Sequence, residues 1–278
     1  MKKVCLVCYG EESKFFPAAV DLWRERQNLA DWELITCRLG GEDQTEDFLF
    51  DGQNLVVRMP TNLRQQISSD SNRFELTGKW TATEMAAQNY RKFMYARFLL
   101  AYLADHSFIL MCASATSVVN FDNLNYIIDC FDVRPFVASR FGRAIRDDKE
   151  LLFPSGAGFI LDKKAVEMLA LSTEPLGDAD DVHTGRVLND CHKYFIQRYD
   201  IIHPSMSFNN VDFEIFERRI RNSFLSGFIQ IRVKLVDNRN APENLFYEQL
   251  RILSSAHLIA DDCHAPRYKC ESLIKSPW

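Results

Sequence analysis

Short apolar runs alternate along this chain with longer segments of helical period. Residues 3–9 form such a run, closed by Gly10, and predict a first strand. Phe16, Val20, Leu22 and Trp23 then recur at the spacing of one helix face and predict a helix over 13–27. Residues 32–37 and 54–57 predict two more strands, each bounded by turn residues. The stretch 60–80 is polar and holds Ser68-Ser69-Asp70-Ser71-Asn72, the composition of a mobile surface loop. A long helix is predicted over 83–104, with Ala86, Tyr90, Phe93, Met94, Leu100 and Ala101 on one face and Arg97 as its one charged member. Residues 107–112 are continuously apolar, as in a strand covered on both sides. Helices over 121–130, 163–171 and from near Asp181, and strands near 136–139, 158–161 and 228–236, follow. A last helix over 242–256 has Pro242 at the favoured first position.

Strands alternating with helices, without an internal repeat or a long linker, predict an α/β sandwich of Rossmann type around a mainly parallel, mixed sheet. Ligands of such folds collect at the carboxyl ends of the strands, so the segment after Cys112 is where chemistry is expected.

Composition adds limits. The chain has 278 residues, enough to bury a sizeable core, and its formal charge of −5 gives no global attraction to nucleic acid or an anionic membrane. Met1-Lys2-Lys3 is basic, but the apolar stretch from Val4 to Tyr9 is too short for a signal-peptide core. No run approaches the roughly 20 apolar residues of a membrane span. The eight cysteines are expected to be buried free thiols of a reducing compartment, and the protein to be cytoplasmic.

Three stretches carry candidate chemistry. The first is Phe108-Ile-Leu-Met-Cys-Ala-Ser-Ala-Thr-Ser-Val-Val-Asn120, followed by Phe121-Asp122-Asn123-Leu124. The second is Ser155-Gly156-Ala157-Gly158-Phe159-Ile160-Leu161, with Val166 and Leu169 behind it. The third is Asp180-Asp181-Val182-His183-Thr184-Gly185, with Leu188. Their order and spacing, over roughly residues 84–190, resemble the Fringe and β-1,3-galactosyltransferase group of GT-A glycosyltransferases. In that group an apolar strand runs into Asp-x-Asp, a Ser-Gly-x-Gly strand floors the acceptor site, and an acidic-Asp-Val-x-x-Gly motif opens a helix. Lys92, 22 residues before Ser114, falls where family members keep a helical lysine, and the resemblance puts it with Ser114 and Thr116 among the residues expected to bind the donor.

The resemblance implies one GT-A-like domain over 1–278, with a nucleotide-binding half (1–113) and an acceptor and catalytic half (114–278). It implies a hexosyl- or pentosyltransferase that moves a sugar from a nucleotide-sugar donor to an acceptor hydroxyl, with inversion. Asp181 stands where the family places the general base, with Asp180 in support. Sugar transfer with inversion needs such a carboxylate to take the acceptor proton. Acids at a helix start also serve as caps, so both roles are open for this pair. Ser155, Gly156 and Gly158 would floor the acceptor, small enough to let a sugar approach the backbone. A plain turn before a strand explains them equally well. Tyr9 and Gly10, ending the first strand, would face the donor, and His203 lies where GT-A enzymes place a metal or diphosphate contact.

The departure from the family is Ser114-Ala115-Thr116 in place of Asp-x-Asp. Carboxylates there hold Mn²⁺ or Mg²⁺ through hard oxygen ligands, and hydroxyls replace them poorly. No divalent metal is therefore expected. Arg232 and Lys234, on one face of the late strand, and Arg239 after it, are the candidates to neutralise a diphosphate. A solvated strand edge is the plainer reading of the same residues.

Two rival functions stay open: a non-catalytic sugar- or partner-binding protein on this fold, and a transferase acting on a modified DNA base. The second would use Glu217-Arg218-Arg219-Ile220-Arg221 and the 267–275 tail as local basic patches, though ordinary solvated surface explains them too. Cys5-Leu-Val-Cys8 lies inside a strand, without the helix start that lowers a thiol pKa. Cys263, His264 and Cys270 lack a fourth ligand at zinc spacing.

Overall fold

The computed structural model describes residues 1–10, 15–41, 44–60, 82–146, 149–174, 176, 179–196, 199–202, 213–233, 243–264 and 274–275. The first half of the chain forms β1 (Lys2–Cys8), α1 (Phe15–Arg24), β2 (Trp32–Leu39), β3 (Phe48–Phe50), β4 (Asn54–Val57), α2 (Ala82–Tyr102), β5 (Phe108–Ser114), β6 (Ser117–Val119) and α3 (Phe121–Ile128). Then come β7 (Phe136–Ser139), β8 (Phe141–Arg146), β9 (Lys149–Pro154), β10 (Gly158–Asp162), α4 (Lys163–Ala170) and α5 (Asp180–Val187). Last are β11 (His192–Ile196), β12 (Tyr199–Ile202), α6 (Phe213–Leu225), β13 (Gln230–Val233), α7 (Glu243–Asp262) and β14 (Ile274–Lys275).

The main sheet has nine strands in the order β14-β11-β7-β10-β5-β1-β2-β4-β3. Six of them, β1, β2, β4, β5, β7 and β11, run one way, and β3, β10 and β14 run against them. This is the mixed, mainly parallel α/β sandwich that the alternation of apolar runs predicts. Side chains alternate between its faces. Cys5 and Val7 of β1, with Ile109, Met111 and Ala113 of β5, face a core shared with α1, α3, α6 and α7. Val4 and Leu6, with Phe108, Leu110 and Cys112, face a second core under α2 and α4. Burying β1 and β5 on both faces is what their unbroken apolar runs require.

Several elements have no counterpart in the sequence reading: β3, β6, the hairpin β8–β9, β11, β12, α6 and β14. The hairpin is a separate two-stranded sheet whose Ile145 is exposed, so no alternation marks it. In α6, Phe216, Ile220 and Phe224 are buried at helical spacing, while Arg218, Arg219 and Arg221 stay exposed. Those arginines are the outer face of an amphipathic helix.

The face assigned to the long helix needs correction. Tyr90, Phe93 and Leu100 are only partly buried and Ala101 is exposed, while Met85, Asn89, Arg91, Lys92, Tyr95 and Leu99 are buried. The inward stripe carries polar residues, which apolar periodicity passes over. Arg97 is exposed and lies 4.0 Å from the Phe93 ring centre. The cysteines also depart from expectation. Among the described residues six are free, but Cys130 is disulfide-bonded. Disulfides persist mainly in oxidising surroundings, so the cysteines do not speak for a reducing compartment. No helix among the described residues is long and apolar enough to cross a membrane. The polar stretch 61–80, Pro242 and most of the 267–275 tail lie outside the described residues.

Candidate functional site

At the carboxyl ends of β1 and β5 the sheet opens into a cleft of about 520 Å³. Strand connections leave toward β2 on one side of β1 and β5 on the other, and such a switch point is where doubly wound sheets bind ligands. Tyr9, Gly10, Lys92, Ser114, Thr116, Ser155, Gly156, Gly158, Asp180, Asp181 and Arg232 all line this one cleft. Residues far apart in the chain are thus brought together. His203, Lys234 and Arg239 lie outside the described residues.

The rim is held by one carbonyl. Ala157 O accepts from Ser114 N at 3.2 Å, Ser117 Oγ at 2.9 Å and Gln230 Nε2 at 2.7 Å. Those bonds join the end of β5, the start of β6 and β13 to the turn before β10. Ser114 Oγ lies 2.9 Å from Ser117 Oγ and 3.3 Å from Thr116 Oγ1, a small hydroxyl cluster where the family resemblance expects acids. Arg232 pairs with Ser117 across the β13–β6 ladder and shares a strand face with Gln230. Its side chain lines the same cleft as the hydroxyl cluster, and its Nε has no hydrogen-bond partner among the described residues.

The glycines of this turn differ in kind. A methyl on Gly158 would meet the Gln230 amide at 2.6 Å and Cys112 O at 2.7 Å, so packing alone forbids a side chain there. On Gly156 the nearest atom would be Asp180 Oδ1 at 3.7 Å, followed by Asp181 Cβ at 4.0 Å. Gly158→Ala is therefore expected to destabilise the fold by about 1–3 kcal/mol through overpacking. Gly156→Ala should keep the wild-type melting temperature while narrowing the floor of the cleft. Thermal unfolding of the two variants checks this, and equal melting temperatures would contradict it. Gly185 is also a packing glycine: a methyl there would meet Phe153 Cβ at 2.6 Å and Leu152 O at 2.8 Å.

The acid pair opens α5, whose N-cap residue is Ala179 without a side-chain capping bond. Asp180 Oδ2 is 3.2 Å from Lys92 Nζ. Burial pushes the Asp180 carboxyl up, but the Lys92 charge and hydrogen bond outweigh it and hold the group below its ordinary value. Asp181 is half-buried, and burial, then the Asp180 charge, push its carboxyl above the ordinary value. The two adjacent carboxylates are thus pushed in opposite directions.

Sequence reading missed Arg91, Gln88 and Cys8. Arg91 Nη1 donates to Tyr9 O at 2.7 Å and its other terminal nitrogen to Gln88 Oε1, which pins the end of β1 to α2. Met85, Gln88, Arg91, Lys92 and Tyr95 line the cleft at helical spacing, the signal that marks the inward stripe of α2. Cys8 corrects the expectation for strand thiols. Its hydrogen bond with Cys37, helped against burial by the Arg91 and Lys92 charges, brings it down to about 7.

His183, buried in α5, is lowered to about 4, first by burial and then by the Lys92 charge. Between the unfolded value near 6.5 and this folded value, the unfolded chain binds the proton and the native one does not. Stability thus falls as pH drops through that window, by roughly 3 kcal/mol in full for this group. Urea midpoints at pH 7 and pH 5 should show the loss, and His183→Gln should lessen it. A midpoint equally pH-dependent in the variant would contradict this.

No family model matches this chain, and no curated protein matches it. Among solved structures it is similar to mouse xyloside xylosyltransferase 1 in its apo form, at 9% identity and TM-score 0.42, over 87% of this chain and 99% of that one. It is also similar to the apo-form glycosyltransferase GlyE of Streptococcus pneumoniae TIGR4, at 8% identity and TM-score 0.37, over 91% of this chain and 62% of that one.

Proposed function

We propose that this chain is a glycosyltransferase that moves a sugar from a nucleotide-sugar donor to an acceptor hydroxyl with inversion. The observation that carries the reading is the convergence of all three family-like stretches on one cleft, with Asp180–Asp181 and Arg232 both lining it. The donor lies along the ends of β1 and β5, in the half formed by residues 1–113, and the acceptor over the turn at 155–158. Asp181 takes the proton of the acceptor hydroxyl while its oxygen attacks the anomeric carbon. The bond from that carbon to the diphosphate oxygen breaks, and the diphosphate leaves with the electron pair.

The reading calls for no divalent ion. The Asp-x-Asp position offers hydroxyls, and Asp180 is engaged by Lys92. Among the described residues no group of three His, Cys, Asp or Glu side chains could hold a metal. Charge on the leaving diphosphate must still be stabilised. Arg232 supplies it in this reading, with Lys234 and Arg239 proposed to join it.

A thermal-shift screen of nucleotide sugars and nucleoside diphosphates, with and without EDTA, tests the reading. A ligand at about 100 times its Kd adds about 2.7 kcal/mol, a rise of several degrees for a chain of this size. A rise that survives EDTA is expected. No shift with any nucleotide would remove the donor site.

A further inference from the structure

Resting on the transferase reading above, we infer that Lys92 is a positioning residue for the acid pair rather than a contact for the donor. Its ammonium ties α2 to the first turn of α5 and fixes which aspartate is left to take a proton. Lys92 Nζ donates to Asp180 O at 2.6 Å and to Thr184 Oγ1 at 2.7 Å, and it lies 3.2 Å from Asp180 Oδ2. An ammonium has three N–H donors, and three acceptors of α5 surround this one. None is left for a phosphate. The side chain is nine-tenths buried, and its ammonium lies 5.8 Å from the centre of the Phe159 ring.

The tie is closed on itself. Thr184 Oγ1, which accepts from Lys92, donates to Asp180 O at 2.7 Å. Lysine, threonine and the Asp180 main chain therefore form one buried ring of bonds at the start of the helix. Breaking it costs at least one unmade bond to a charged group. The consequence lies in the pair's asymmetry. Asp180 spends its carboxylate on Lys92, whereas Asp181 makes no ion pair among the described residues and accepts from backbone N–H groups of its own helix turn, Val182 N at 3.0 Å among them. The Asp181 carboxylate keeps lone pairs for an acceptor hydroxyl.

Other charged or titratable groups facing the pair are Arg91 on α2 and Cys8 on β1, with His183 on α5 itself. Of the cations among the described residues, Lys92 is the one bonded to the pair. Removing its charge should raise the affinity of both carboxylates for protons, so the acid limb of activity moves to higher pH.

Lys92→Gln keeps an N–H donor group, one atom shorter in reach, while losing the charge, and Lys92→Arg keeps the charge. Carbon-13 NMR titration of carboxyl-labelled aspartates in the wild type and both variants reads the pair without needing turnover. Binding of uridine and guanosine diphosphate, measured by calorimetry, reads the donor site. In Lys92→Gln the aspartate titration should move to higher pH with diphosphate binding unchanged, and Lys92→Arg should restore it. A titration that stays put while diphosphate binding weakens about tenfold or more, the loss of one charged hydrogen bond, would overturn the assignment. A shifted titration in a protein that turns over no nucleotide sugar would uphold the role of Lys92 and remove the transferase reading.

Discussion

Asp181→Asn is expected to lower turnover by roughly 10² or more, the usual scale for loss of a general base. The amide cannot take a proton, yet it is close in shape and keeps an oxygen for the bond from Val182 N. Nucleoside diphosphate binding should stay near wild type, because the role proposed for this residue is on the acceptor. Asp180→Asn should behave differently. It removes the ion-pair partner of a lysine that is nine-tenths buried, so it should also lower stability. Steady-state kinetics with a melting curve for each variant separates the two roles. Near-normal turnover in Asp181→Asn would take that residue out of the chemistry.

Arg232→Ala is expected to weaken nucleoside diphosphate binding by about 1.5–3 kcal/mol, the worth of a charged hydrogen bond. In Kd that is roughly ten- to 150-fold. The expectation rests on place: β13 pairs with β6 so that Arg232 stands opposite Ser117, whose hydroxyl lies 2.9 Å from Ser114 Oγ, and its side chain lines the same cleft. Arg218→Ala, on the exposed face of α6, changes the net charge equally and should leave binding unchanged. Calorimetry in EDTA checks both. Loss of binding in EDTA with recovery on adding Mn²⁺ would mean that a metal carries the charge and Arg232 does not.

The sheet could be read from the sequence because its central strands are covered on both sides and so are apolar without interruption, as in β1 and β5. The edges were hidden for the opposite reason. β3 has Leu49 exposed, and the β8–β9 hairpin stands outside the main sheet with Ile145 exposed, so neither shows a buried period.

Much of the cleft was legible through short motifs at strand ends, yet some motif residues serve packing. Asn120 caps α3 and donates to Ala260 O and Cys263 O, both at 2.8 Å. Gly185 makes room for β9, and Gly158 for Gln230. Arg91 was not legible, because its place depends on which face of a long helix turns inward. That face mixes Met85 and Tyr95 with Gln88, Arg91 and Lys92, and an apolar moment does not find it. Lys92 was legible as a residue but not in its contacts, since the acceptors around it come from α5, about 90 residues later.

Whether this cleft transfers a glycosyl group is tested most directly by nucleoside diphosphate release from a panel of nucleotide sugars, with EDTA present throughout. Water serves as the default acceptor and pooled saccharides as added ones. Wild-type protein should release diphosphate from at least one donor, and Asp181→Asn should release it roughly 10² times more slowly or worse at equal donor binding. Tight binding of a nucleotide sugar without diphosphate release, from the wild type and with every acceptor, would contradict transfer and leave a protein that only binds the sugar.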